Sequence, residues 1–155
     1  MPKIFYLSEI LDFALEKEQQ SADLYQKLAD QAGNADDKAL FEKLVRDELN
    51  HKAYYAEILA SVKEEQSPKV PQEGEEYTAY MRQLIEDSRT TKVLPDDISS
   101  MPLNEVLDYA IARERDSMTF YLGLKQFVPE SAKAHIDVII AEESRHAAVI
   151  ASLKK

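Results

Sequence analysis

Cysteine is absent from this 155-residue sequence, and glycine occurs only three times. Without cysteine there is no disulfide framework, no thiolate zinc or iron–sulfur site and no thiol nucleophile. A basic excess is also missing: Asp and Glu number 29 against 19 Lys and Arg, a formal charge of -10. That balance argues against a nucleic-acid surface, which needs clustered cations to meet phosphates. No apolar run approaches the ~20 residues of a membrane span. The opening Met-Pro-Lys-Ile-Phe-Tyr lacks the apolar core of a signal peptide. Hydrophobic residues at 45% and charged residues at 31% then describe a soluble globular chain, long enough for one domain. A cytoplasmic location is the expectation.

Apolar residues recur at three- and four-residue intervals over long stretches, the signature of amphipathic helices. Ile10, Leu11, Ala14, Leu15, Ala22, Tyr25, Leu28 and Ala29 form the first stripe. Ser8 is its expected N-cap, and Gly33 stands where a C-cap glycine belongs. A second helix starts near Asn34 to Asp37 and carries Phe41, Leu44, Val45, Tyr55 and Ile58. Asn104 is the expected cap of a third, with Val106, Leu107, Ala110, Ile111, Tyr121 and Leu124. Pro129 breaks the chain before a fourth, which carries Ile136, Ile139, Ile140, Ile150 and Leu153. Strand alternation is nowhere convincing, so the fold class is all-α.

Two helical hairpins, 8–62 and 104–154, are thus separated by a connection over 63–103. The connection contains Pro68, Pro71 and Pro95, and a short helix is expected between Glu75 and Ser88. Its length allows it to run along a bundle rather than close a hairpin. The hairpins repeat one another. An offset of 96 (from 18 to 114) aligns Leu7-Ser-Glu-Ile-Leu-Asp-Phe-Ala with Leu103-Asn-Glu-Val-Leu-Asp-Tyr-Ala, Ser21 with Ser117 and Tyr25 with Tyr121. An offset of 95 (from 48 to 143) aligns Glu48 with Glu143 and His51 with His146. A repeated hairpin predicts a single-domain four-helix bundle with approximate two-fold symmetry.

Charged residues interrupt the apolar stripes at repeat-related places. Glu18 follows Ala14 by one turn and shares a face with Tyr25; Glu114 stands likewise between Ala110 and Tyr121. Glu48 and His51 lie between Leu44 and Tyr55, and Glu143 and His146 between Ile139 and Ile150. A Glu and a His three apart stand on consecutive turns and reach the same small volume. Four carboxylates and two imidazoles therefore point at the middle of one bundle. Unpaired burial costs several kcal/mol for each charge. Two divalent cations balance four carboxylates, and imidazoles complete their coordination. This donor set without thiolate suits iron or manganese, with zinc less favoured. The alternative is a metal-free bundle that buries the same groups as a salt-bridge network. His135 has no Glu three residues before it and is expected not to be a ligand.

One Glu from each of two helices and Glu-x-x-His from each of the others resembles the ferritin-like di-iron carboxylate superfamily. The symmetrical halves, the long middle connection and the Glu18-to-Tyr25 spacing resemble its rubrerythrin-type branch most. That resemblance implies two iron ions, with manganese or zinc as substitutes, bridged by Glu48 and Glu143. It implies terminal ligands Glu18 and Glu114, with His51 and His146 each on one metal. Tyr25 and Tyr121 resemble the family's phenols that hydrogen-bond ligand carboxylates. Asp47 and Glu142 extend both motifs to [Asp/Glu]-Glu-x-x-His and are candidates to accept the imidazoles' outer N–H.

The implied activity is oxidoreductase chemistry with O2 or peroxide. A ferritin-like role in iron oxidation and storage is the alternative. Peroxidase-type members carry a further Glu on the third helix, where this chain has Ile111 and Ser117. The rubredoxin-like cysteine domain is absent too, which implies a separate electron donor protein. A homodimer is the assembly the resemblance suggests.

Overall fold

Asn34 joins the first two helices by a local hydrogen bond. Its Oδ1 accepts from the Asp37 backbone N–H at 2.8 Å, and its Nδ2 donates to Asp37 Oδ2 at 3.0 Å. This satisfies one of the orphan amides of the new helix. The computed structural model describes residues 7–63, 75–90, 94 and 97–155. Among them are five helices and no strand: α1 (Leu7–Asp30), α2 (Ala35–Lys63), α3 (Glu75–Thr90), α4 (Leu103–Leu124) and α5 (Glu130–Ser152). None of these helices is long and apolar enough to cross a membrane. The short connections pack α1 chiefly on α2 and α4 on α5, as antiparallel hairpins.

Two apolar clusters lie at opposite ends of the bundle. One gathers Ile10, Leu11 and Ala14 of α1, Tyr55 and Ile58 of α2, Tyr121 and Leu124 of α4 and Ile136 and Ile139 of α5. The other gathers Tyr25 and Leu28 of α1, Phe41 and Leu44 of α2, Leu107 and Ala110 of α4 and Ile150 of α5. α1 and α5 therefore run one way, and α2 and α4 the other. The connection must travel the bundle's length, from the C-terminal end of α2 to the start of α4. α3 belongs to that journey: its Met81 and Ile85 enter the first cluster, and Ile98 further on enters the second. It docks against α4 at Gly123, where an added Cβ would meet Met81 Sδ at 2.2 Å. Four helices form the bundle and a fifth straps it.

Three terminal details differ from the sequence expectations. Ser8 lies inside α1, not at its cap. Gly33 is three residues beyond the end of α1 and does not adopt left-handed backbone, so it is no C-cap. Asn104 is likewise inside a helix: Pro102 holds the N-cap position of α4 with no side-chain cap bond. The Asn104 amide is used elsewhere, donating to the Lys155 carbonyl at 2.6 Å and accepting from its N–H at 3.3 Å. A proline, fixed near helical φ and lacking an N–H, starts α4 and α5 without a capping side chain. Pro68, Pro71, Pro95 and the N-terminal Met-Pro-Lys-Ile-Phe-Tyr lie outside the described residues.

Candidate metal centre

Between the two apolar clusters each bundle helix passes through the middle of the molecule, and there it carries the charged residues. Glu18 comes from α1, Glu48 and His51 from α2, Glu114 from α4, and Glu143 and His146 from α5. All six are at most 3% exposed. They form two overlapping groups whose ligand-type atoms lie within 4.8 Å of one another: Glu18, Glu48, His51 and Glu143, and then Glu48, Glu114, Glu143 and His146. Glu48 and Glu143 belong to both groups.

Both imidazoles point the same nitrogen inward. His51 Nδ1 is 2.8 Å from Glu143 Oε1 and 3.6 Å from both Glu18 Oε2 and Glu48 Oε2. His146 Nδ1 is 3.1 Å from Glu48 Oε1 and 3.7 Å from Glu114 Oε1. The rings are near parallel, with centroids 6.1 Å apart. Their outer nitrogens meet carboxylates of the opposite hairpin: His51 Nε2 lies 2.5 Å from Glu142 Oε2, and His146 Nε2 lies 3.0 Å from Asp47 Oδ2. The phenols cross in the same way. Tyr25 donates to Glu114 Oε1, and Tyr121 donates to Glu18 Oε1.

Five inward atoms are wholly buried without a hydrogen-bond partner: Glu18 Oε2, Glu48 Oε2, His51 Nδ1, Glu114 Oε2 and Glu143 Oε1. Leaving such groups unsatisfied costs about 1–3 kcal/mol each, and more where they are charged. Oxygen and imidazole donors converging on one volume fit a pair of divalent cations. Without cations, protons carry the compensation. Burial, and then the neighbouring Glu18 charge, push the Glu48 carboxyl well above the usual carboxylate range. Burial and then the charge of Glu48 do the same to Glu143. Burial opposes protonation of both imidazoles, but the carboxylates facing them, Glu143 first at His51 and Glu114 first at His146, outweigh it and raise their values. Burial raises Glu114 as well, yet His146 beside it brings the net below normal.

His135 sits on the outer part of α5, stacked on Tyr54 with ring centroids 3.6 Å apart, and takes no part in either group. Two cationic neighbours were not anticipated from the sequence. Lys17 is 3% exposed, and burial, followed by repulsion from Arg113, lowers its ammonium to about 8. Arg113 Nη2 donates to the Lys17 carbonyl and to Ser21 Oγ, each at 3.3 Å. The offset of 96 that pairs Glu18 with Glu114 also pairs these two cations, a signal available in the sequence. The α4 positions Ile111 and Ser117 contribute no further carboxylate.

Comparison with known proteins places this geometry in context. The family model described as Rubrerythrin matches residues 9–154. The fold is shared with a ferritin-like diiron-carboxylate protein from Thermotoga maritima, with a TM-score of 0.66. The two are 22% identical, over 97% of this chain and 95% of that one. No curated protein matches the chain significantly.

Proposed function

This chain belongs to the rubrerythrin family, and on that premise we propose that it is a cytoplasmic dinuclear iron oxidoreductase that reacts with O2 or peroxide. One observation carries the reading: two buried four-residue groups overlap in Glu48 and Glu143. In this reading Glu48 and Glu143 would be shared between the two ions, Glu18 and Glu114 would each hold one end, and His51 and His146 would each offer Nδ1 to one ion. When bound there, two adjacent iron ions would supply the paired electrons that reduction of an O–O bond requires.

The surrounding residues prepare that donor set. With metal bound, Asp47 and Glu142, which lie within hydrogen-bond distance of His146 Nε2 and His51 Nε2, would accept the Nε2–H and leave each Nδ1 lone pair to a metal. Tyr25 and Tyr121 occupy one oxygen of Glu114 and of Glu18, and the other oxygen of each is buried without a hydrogen-bond partner, free to serve as a ligand. The apolar clusters above and below keep bulk water out and strengthen every charge interaction between them. Manganese suits the same donors and zinc suits them less well, and zinc has no redox chemistry with which to support the proposed reaction. Electrons arrive from a separate donor protein.

Anaerobic loading with iron(II), followed by O2 or peroxide, tests the reading. The expected result is two iron ions per chain, oxidised faster than free iron(II) in the same buffer. Oxidation no faster than in buffer would remove the redox role. Solution mass addresses the storage alternative: a monomer or homodimer supports the small redox protein, whereas a large closed shell supports storage.

A further inference from the structure

The pseudo-two-fold repeats the ligands and the phenols, yet it does not repeat the rings behind them. Tyr121, whose hydroxyl donates to Glu18, packs on Tyr55 with centroids 4.9 Å apart. Tyr55 lies 6.1 Å from Tyr54, and Tyr54 stacks on His135 at 3.6 Å and 8°. Tyr54 is half-buried and His135 exposed, so the series of rings reaches the surface. In the other hairpin the offset of 95 puts Val149 and Ile150 opposite Tyr54 and Tyr55, and Leu40 opposite His135. Tyr25 accordingly lies in a cluster that is mostly aliphatic, with Phe41 as its one other buried ring, and among the described residues it heads no comparable series of ring contacts. Packing alone gives no reason for four rings in successive contact from the centre to the surface on one side and no such series on the other.

We infer that Tyr121, Tyr55 and Tyr54 form a one-sided electron route between the metal centre and the surface at His135, where an external one-electron reductant delivers electrons. This rests on the redox reading above. Tyr121 yields one electron toward an oxidised metal pair, and its hydroxyl proton passes to Glu18 Oε1, which already accepts its hydrogen bond. The replacement electron leaves Tyr54 and crosses the Tyr55 ring, while the proton returns from Glu18 to Tyr121. Tyr54 releases its own hydroxyl proton to water. It is restored by one electron from the reductant and one proton from water. No heavy-atom bond changes, and the sum is one electron carried inward. Tyr55 acts as a bridge and not a stopping point: its buried hydroxyl has no hydrogen-bond partner among the described residues, so it has no group to take its proton.

The cysteine-free sequence makes a direct test simple. Val138 is 54% exposed and one turn from His135 on α5. A ruthenium polypyridyl photo-oxidant attached to Val138→Cys in the full chain, without iron, draws an electron from the surface end. Freeze-trapped electron paramagnetic resonance should then show, beside any signal from Tyr54, a Tyr121 radical identified by its loss in Tyr121→Phe. Tyr55→Phe keeps a ring in place and should preserve the radical. Tyr55→Leu should lose it, and so should Tyr54→Leu, which changes only a half-buried site and guards against misfolding of the first variant. The same photo-oxidant at the repeat-related Lys43→Cys should give no radical on Tyr25. A Tyr121 radical that persists in both leucine variants, or a Tyr25 radical formed as readily from position 43, overturns the route. Because no iron takes part, these outcomes are separate from the success or failure of iron oxidation.

Discussion

Glu48 and Glu143 have a double life set by what lies between them. Without cations their carboxyls are biased toward the protonated form by burial and by neighbouring charge. A neutral amide then imitates the metal-free state but cannot bridge ions. Glu48→Gln is therefore expected to change the metal-free unfolding free energy by no more than about 1 kcal/mol. It should nevertheless lose the increase in melting temperature that metal is expected to bring to the unaltered chain. Calorimetry with and without manganese(II) checks both halves. An unaltered metal response in Glu48→Gln would remove Glu48 from the site. The six central residues were legible at this scale because a charge inside an apolar stripe contradicts its surroundings. Tyr54 and Tyr55 were not, because a ring at helical spacing looks the same whether it fills a core or lies in a stack. Lys17 escaped notice because an exposed and a buried lysine read alike.

At the scale of the helices, the period of the apolar residues located the four bundle helices well, and the acidic, mixed-polarity piece from Glu75 to Ser88 falls within α3. Their ends were harder. Capping depends on which residue adopts non-helical backbone, and several Ser and Asn side chains compete for the role. Ser8 and Asn104 have the right chemistry but lie within helices, whereas Asn34 makes the bond. Asn34→Ala is expected to cost about 1 kcal/mol in urea unfolding of the metal-free chain; Ser8→Ala, which removes no cap, should cost clearly less. The strap has its own weak point. Met81 is fully buried against Gly123, and any side chain there must displace its sulfur. Gly123→Leu is expected to destabilise by about 1–3 kcal/mol through overpacking. Hydrogen exchange should show the loss concentrated in α3, with α1, α2 and α5 retaining protection. Uniform loss across the bundle would mean that α3 is not a separable strap.

For the whole molecule, folding and metal binding are coupled through protons. The carboxyls of Glu48 and Glu143 rise from an ordinary 4.5, so above that pH the folded chain holds protons that the unfolded chain has released. His51 and His146 rise from 6.5, and their contribution, full below that value, is lost as pH climbs toward their folded values. All four terms have one sign: metal-free stability falls as pH rises. Glu114 and Asp47, both lowered, contribute stability that is lost only on acidification below the ordinary carboxylate range. Lys17 loses its folded-state proton at about 8 and acts above that. The interval from about pH 5.5 to about pH 8 is therefore governed by the central four. Metal reverses the trend, because its ligands must shed those protons, and each proton expelled strengthens apparent binding up to tenfold per pH unit. Across that interval the melting temperature of the metal-free chain should decline. The gap between it and the manganese-saturated chain should widen, with an increment of about 2.7 kcal/mol where metal stands at ~100 times its dissociation constant. Differential scanning calorimetry at several pH values measures both curves. A constant gap would mean that the ion binds without displacing protons from the bundle's centre, and so at some other place.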